Sequence, residues 1–204
     1  MQPTHTKPRS RAAPVIRLHI TAKDAAGNVI AQQTKENDIF VWNWAVMIAQ
    51  FLKMQFAPMD ATTYAYKNTA GTTLSTAYNQ FFGYRSSPNY DWKSTWRVQI
   101  GSGSNAPAIT DYALQTWVKE VQPTIPDIVI PQSGNVLKLV FSSTFTFTAE
   151  TICAETAIKA SGCLASGVAA AQDFILTRDI FTPVTVPAGG TITLQHELIF
   201  NGTS

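Results

Sequence analysis

Charge is scarce in this chain. Only 14% of its 204 residues are Asp, Glu, Lys or Arg, against roughly 25% in an average globular domain. Fifteen bases against 13 acids leave a net charge of +2, which argues against a general nucleic-acid binder, since that needs a basic face or stripe. Histidine and cysteine are scarcer still, at three and two. His5, His19 and His196 fall in no HxH or HxxxH spacing, so a histidine-based metal site has little support. Cys153 and Cys163 lie ten residues apart without metal-ligand partners. A disulfide is open to them, but a chain with no export signal favours two buried thiols. No apolar h-region follows the basic N-terminus, so no secretory signal is expected. The longest apolar run, IFVWNWAVMIAQFL from Ile39 to Leu52, contains Asn43 and Gln50. It falls short of the roughly 20 residues that span a bilayer, so no membrane insertion is expected.

Catalytic signatures are also missing. There is no Gly-x-Ser-x-Gly elbow. GSGSNAP at 101–107 superficially resembles a phosphate-cradling loop but lacks the GK[ST] ending; its glycines read as a bend at a strand end. Carboxylates that could run glycoside hydrolysis are few, and none pairs with another by position.

What is present is apolar and threonine-rich. Apolar residues make up 45%, enough for a real core in a single domain. Threonine suits pleated, half-buried strands. A surface of Thr, Ser, Asn and Gln repels its own copies weakly, which suits obligate assembly as well as it suits an ordinary β protein. Residues 1–14, MQPTHTKPRSRAAP, carry Lys7, Arg9 and Arg11, three prolines and no acid. They read as a flexible basic arm, the one segment expected to touch nucleic acid or an acidic partner.

Period-2 alternation recurs along the rest. VIRLHIT at 15–21 and VIAQQTKE at 29–36 bracket a KDAAGN turn and predict a hairpin. Trp96, Val98 and Ile100 alternate with Arg97 and Gln99. The run from Asn135 to Thr148 alternates most clearly, and Thr151–Lys159 is its expected antiparallel partner. ASGCLASGVAAA at 160–171 reads as a small-residue loop. The stretch from Ile175 to Phe200 reads as a closing hairpin turned at Pro187-Ala188-Gly189-Gly190. Ile180, Thr182, Val184 and Val186 are expected on one inner face, and Ile192, Leu194, His196, Leu198 and Phe200 on the other. His196 is thus expected as a core or interface histidine.

Two regions break the alternation. One long apolar helix is predicted near residues 38–57, capped by Asn37 or Asp38 and ending before Pro58. Trp42, Trp44, Met47 and Phe51 make it apolar almost all round, so it is expected to pack across a sheet or in a subunit interface. Residues 58–95 hold Tyr64, Tyr66, Tyr78, Tyr84, Tyr90 and Trp92 among small polar residues. This insertion reads either as an adaptable binding surface or as a loop folding its aromatics back onto the core. The expected fold is mainly β: an antiparallel β-sandwich, jelly-roll-like or Ig-like, over residues 15–204.

Glu155 sits in ICAETAIKA with small or apolar neighbours. A carboxylate there needs a partner if it is buried. Arg178 is the expected one, in a structural ion pair; Asp179 is the other acid within its reach.

Three pieces carry a resemblance: WRVQIGSGSNAPAITDYALQ at 96–115, ICAETAIKA at 152–160 and LTRDIFTPVTVPAGGTITLQHELIF at 176–200. Gly101, Gly103, Pro107, Asp111 and Leu114 fit the first part of the pattern. Arg178, Phe181, Pro183, Val186 and Gly189 fit the last. Together they resemble small virion proteins of β-sandwich type from bacteriophages and archaeal viruses, which serve as tail, fibre or head-accessory components. The middle piece departs, with Glu155-Thr156-Ala157-Ile158 where the pattern commonly has Glu-x-Gly-Leu. The likeness covers about half the chain. It implies a structural, self-assembling and non-enzymatic component of a virus particle, located in the virion and partnered by its own copies and other virion proteins. No cofactor is implied. Other readings are a glycan- or cell-surface-binding module using the Tyr-rich insertion, a cellular filament subunit and a β-sandwich hydrolase.

Overall fold

A computed structural model describes residues 15–36, 39–41, 43–44, 65–75, 96–122, 124–129, 136–165 and 168–201. These form twelve strands: β1 (Val15–Lys23), β2 (Val29–Glu36), β3 (Ile39–Phe40), β4 (Ala65–Lys67), β5 (Thr73–Ser75), β6 (Trp96–Gly101), β7 (Trp117–Val121), β8 (Thr124–Val129), β9 (Val136–Thr146), β10 (Thr151–Ala165), β11 (Val168–Val186) and β12 (Thr191–Asn201). Two five-stranded sheets, β2-β1-β12-β9-β8 and β3-β11-β10-β6-β7, account for all but the small β4-β5 pair. The pairings are antiparallel.

The sheets face each other across a shared core. Leu18, Ile20, Phe145, Ile192 and Leu194 from the first meet Val98, Ile100, Cys153, Phe181, Val184 and Val186 from the second. Fully burying one such side chain contributes about 1.5–3 kcal/mol, so these alternating faces drive the two sheets together. Ile16, Phe141, Ile158 and Leu198 continue the core toward the far end.

The alternation placed side chains well but strands less well. The hairpin at 15–36 is present as β1 and β2, and Asp24 accepts from Asn28 N–H at 2.8 Å to close its turn. In β12 the even positions Ile192, Leu194, His196 and Leu198 are buried and Gln195 is not, but the odd positions Glu197 and Ile199 are buried too, and the Phe200 side chain lies outside the described residues. The other expectations need correction. Residues 135–148 and 151–159 are not partners: β9 pairs with β12 and β8, while β10 pairs with β11 and β6. The chain crosses between sheets at Thr148–Glu150, so the apolar faces of β9 and β10 oppose each other across the core. The closing hairpin fails for the same reason. β11 and β12 lie in different sheets, joined by a crossing at Pro187–Gly190 in which Gly189 takes a φ of 76°. Alternation says which side chains are inside, and two strands facing across a core alternate as two strands side by side do.

The small-residue stretch at 160–171 is not a loop. Most of it extends β10 to Ala165 and begins β11 at Val168. The expected face of β11 also changes phase. Phe181 is buried and Thr182 exposed, because the register with β10 shifts between Cys153 and Glu155, opposite Val184 and Ile180. A bulge of this kind reverses the faces of the residues beyond it.

The long helix predicted near 38–57 is not supported. Its expected start is strand β3, which pairs Ile39 with Arg178 and Phe40 with Thr177. Val41 N–H then bonds Leu176 O at 3.1 Å. A continuous apolar run does not by itself separate a buried strand from a buried helix, and here pairing with β11 decides. Asn43 and Trp44 are helical; Trp42, Met47 and Phe51 lie outside the described residues. Trp44 packs against Phe174, Leu176 and Ala160, so it is an intramolecular contact. The basic arm also lies outside the described residues.

Candidate functional site

Charged side chains are buried on the outer face of the second sheet. Successive strand residues point to opposite faces. Ile158 and Thr156 therefore face the core, while Glu155, Ala157 and Lys159 face outward from β10. Beside them on β11, Arg178 is the register partner of Ala157. This face is covered by the chain itself. Val41 and Leu114 pack on Ala157 and Ile175, and Asn43 donates to Ile175 O at 3.2 Å and Lys67 O at 2.9 Å.

The structure brings Glu155 and Arg178 together, both essentially without solvent exposure. Arg178 Nε and Nη2 donate to Glu155 Oε2 at 3.0 and 2.9 Å. Its Nη1 donates to Asp111 Oδ2 at 2.8 Å, and Nη2 also reaches Asn105 O at 3.1 Å. The rest of Glu155 is taken by backbone. Gly103 and Thr116 N–H donate to Oε1 at 3.0 and 2.8 Å, and Gln115 N–H to Oε2 at 3.1 Å. Asp111 also accepts from Ala108 N–H at 2.8 Å.

The loop from 102 to 116 is thus wrapped around one ion pair. Its glycines answer a steric need: a Cβ on Gly101 or Gly103 would sit 2.6 or 2.5 Å from Glu155 Oε1. The GSGSNAP stretch does present amides to an anion, as its likeness to a phosphate loop suggests. The anion is the chain's own Glu155. Five donors on two carboxylate oxygens match or exceed their lone-pair capacity, so the Glu155 carboxylate is saturated by the protein itself.

Two smaller clusters escaped sequence reading. Lys159, also buried, meets Glu120 Oε2 at 2.6 Å and Asp173 Oδ2 at 2.7 Å. Asp179 is not a partner for Arg178 within the outer face; its carboxylate pairs with Lys35 of β2, in the first sheet. Burial raises the Asp179 carboxyl above its ordinary pKa, against the lowering effect of Lys35. Next to it, Gln33 donates to Thr182 O at 3.0 Å and accepts from Thr182 N–H at 3.1 Å. That carboxamide satisfies both peptide groups of a bulged edge residue, which would otherwise invite another strand.

The outer face of the first sheet is mostly polar and half-exposed, although Glu197 and Ile199 on it are buried. Glu197 sits in the middle, with Arg17 Nη1 and His19 Nε2 both 3.6 Å away, Lys138 Nζ at 3.4 Å and Gln195 Nε2 at 3.0 Å. Burial alone would raise its carboxyl. Lys138, the Gln195 hydrogen bond and His19 outweigh that and hold it below the ordinary value.

Of the expected aromatic surface, Tyr64, Tyr78, Tyr84, Tyr90 and Trp92 lie outside the described residues, as does the Tyr66 side chain. The described part of the insertion folds back onto the second sheet. Thr69 N–H bonds Asp173 O at 2.9 Å, Asn68 donates to Gln172 at 2.7 Å, and Lys67 Nζ lies 4.4 Å from the Tyr112 ring centroid. Cys153 is a free thiol in the core, pushed by burial to a pKa of about 11; the Cys163 side chain is outside the described residues. Among the described residues, no three His, Cys, Asp or Glu side chains cluster as a metal site would require.

No family model, curated protein or solved structure matches the chain.

Proposed function

We propose that this chain is a self-assembling structural subunit of a virus particle, a tail, connector or head-accessory component without enzymatic activity. The observation that carries this reading is where the family-like positions meet. Gly101, Gly103 and Asp111 come from one stretch of sequence, Glu155 from a second and Arg178 from a third. All five converge on one buried ion pair and the loop wrapped around it. The Glu155 carboxylate is held entirely by the fold's own donors, which supports a scaffold role for these positions. The two halves of the chain also pair in nested order, β1 with β12, β3 with β11 and β6 with β10. That order favours a jelly-roll-like over an Ig-like sandwich.

The low charge and the exposed apolar side chains Ile109, Trp117 and Ile152 supply surface that copies could bury. Sedimentation velocity across a wide concentration range, with negative-stain imaging, tests the reading. Rings, tubes or shells growing with concentration are expected. A monodisperse monomer at the highest concentration would overturn it.

A further inference from the structure

Thr156 of β10 carries a hydroxyl that donates its single proton to Gln99 O at 2.8 Å. The same oxygen lies 3.3 Å from His196 Nε2 across the core. With the hydroxyl proton already committed, Nε2 must be the donor in that contact. The fully buried imidazole is therefore the Nε2–H tautomer, and its Nδ1 is a bare acceptor with no partner among the described residues.

Among the described residues, no charge faces this ring. On its own strand the inward neighbours are Leu194 and Leu198. Its register partners are Leu18 on β1 and Phe141 on β9. One step along β9 on the same face is Ser143, whose hydroxyl also lacks a partner. The second sheet contributes Thr156, the Gln99 carbonyl and, farther along the inward face of β10, the uncharged Cys153. Arg17, His19, Lys138 and Glu197 stand on the outer side of the first sheet. Glu155 and Lys159 stand on the outer side of the second, each already paired.

We infer that His196 is an acid-sensitive joint between the two sheets: a proton on Nδ1 would place an unpaired imidazolium in the core, and the sandwich must loosen to hydrate it. Burial agrees, lowering the ring's pKa to about 4. Because the folded pKa lies below the unfolded one, the contribution is fully present above the ordinary histidine pKa of about 6.5. It is lost as pH falls from there toward 4. The device does not depend on assembly and operates equally in a monomer.

Equilibrium urea unfolding of the full chain at pH 6.0 and 4.5 tests it. The unfolded-to-folded ratio of the wild type should rise roughly 20-fold more over this interval than that of His196→Leu. The variant removes the titrating group while roughly keeping its volume. Asp179, whose raised pKa acts in the opposite direction, and Glu197 are common to both proteins and cancel. Equal pH dependence in the two would overturn the inference. NMR titration of the wild-type ring provides a test that needs no variant. The ring should stay neutral in the folded protein down to about pH 5. Titration near 6.5 with the fold intact would overturn the proposal.

Discussion

Arg17, His19 and Lys138 stand half-exposed around a nearly buried Glu197 on the outer face of one sheet; Glu155, Arg178 and Lys159 stand on the outer face of the other, where the chain covers them. Both faces are strand positions pointing away from the same core. The difference lies in what lies over them. On the first face no loop among the described residues lies over Glu197; half-exposed Arg17, His19 and Lys138 cover it at 3.4–3.6 Å, so its partners stay in contact with water. The second lies beneath the 102–116 loop, the segment at 41–44 and the β4-β5 pair. Its charges must therefore find partners inside the protein, and the resulting cluster holds the covering loop in one conformation.

Breaking the covered face should have the larger effects. Arg178→Met leaves Glu155 and Asp111 without their counterion and should cost about 3–5 kcal/mol. The amides of Gly103, Gln115 and Thr116 should then lose protection in hydrogen exchange. The double variant Glu155→Met with Arg178→Met should recover much of that loss, since removing both charges relieves the unpaired one. Gly103→Ala should cost about 1–3 kcal/mol by overpacking against Glu155, seen as a lower urea midpoint with an unchanged slope. Lys159→Met should cost about 1 kcal/mol, because Glu120 and Asp173 remain partly solvated.

On the open face the effects should be smallest. Arg17→Ala or Glu197→Gln should change stability by less than about 1 kcal/mol, and the change should shrink as salt is raised. The Glu197 contribution should be present above the ordinary carboxylate range and fade as pH falls through its lowered pKa. If Glu197→Gln costs as much as Arg178→Met, the contrast between an open and a covered face is wrong.

Part of the candidate site was legible because burying a charge is so costly. A carboxylate among Ile152, Ala154, Ala157 and Ile158 needed a cation, and Arg178 heads the next polar stretch. Asp111 could not be assigned to that pair, nor could the three loop amides. They reach Glu155 from 39 to 52 residues away in sequence, and no local pattern encodes such a distance. The Lys159 cluster was missed for the same reason: Glu120 and Asp173 come from separate strands. Asp179 was read beside Arg178 without the pleat, which sends neighbours to opposite sides.

Taken alone, the sequence determined that this is a β protein with a substantial core, and which positions of β1 and β12 point inward. Period-2 alternation is a property of a few consecutive residues and survives whatever the strand pairs with. Only the tertiary structure decided that β9 and β10, and likewise β11 and β12, part into opposite sheets. It also decided that the apolar run beginning at Ile39 opens as a strand, and that the glycine-rich loop closes on the protein's own carboxylate. Those outcomes depend on contacts between distant segments, where burial of the whole apolar face outweighs the preference of any one stretch.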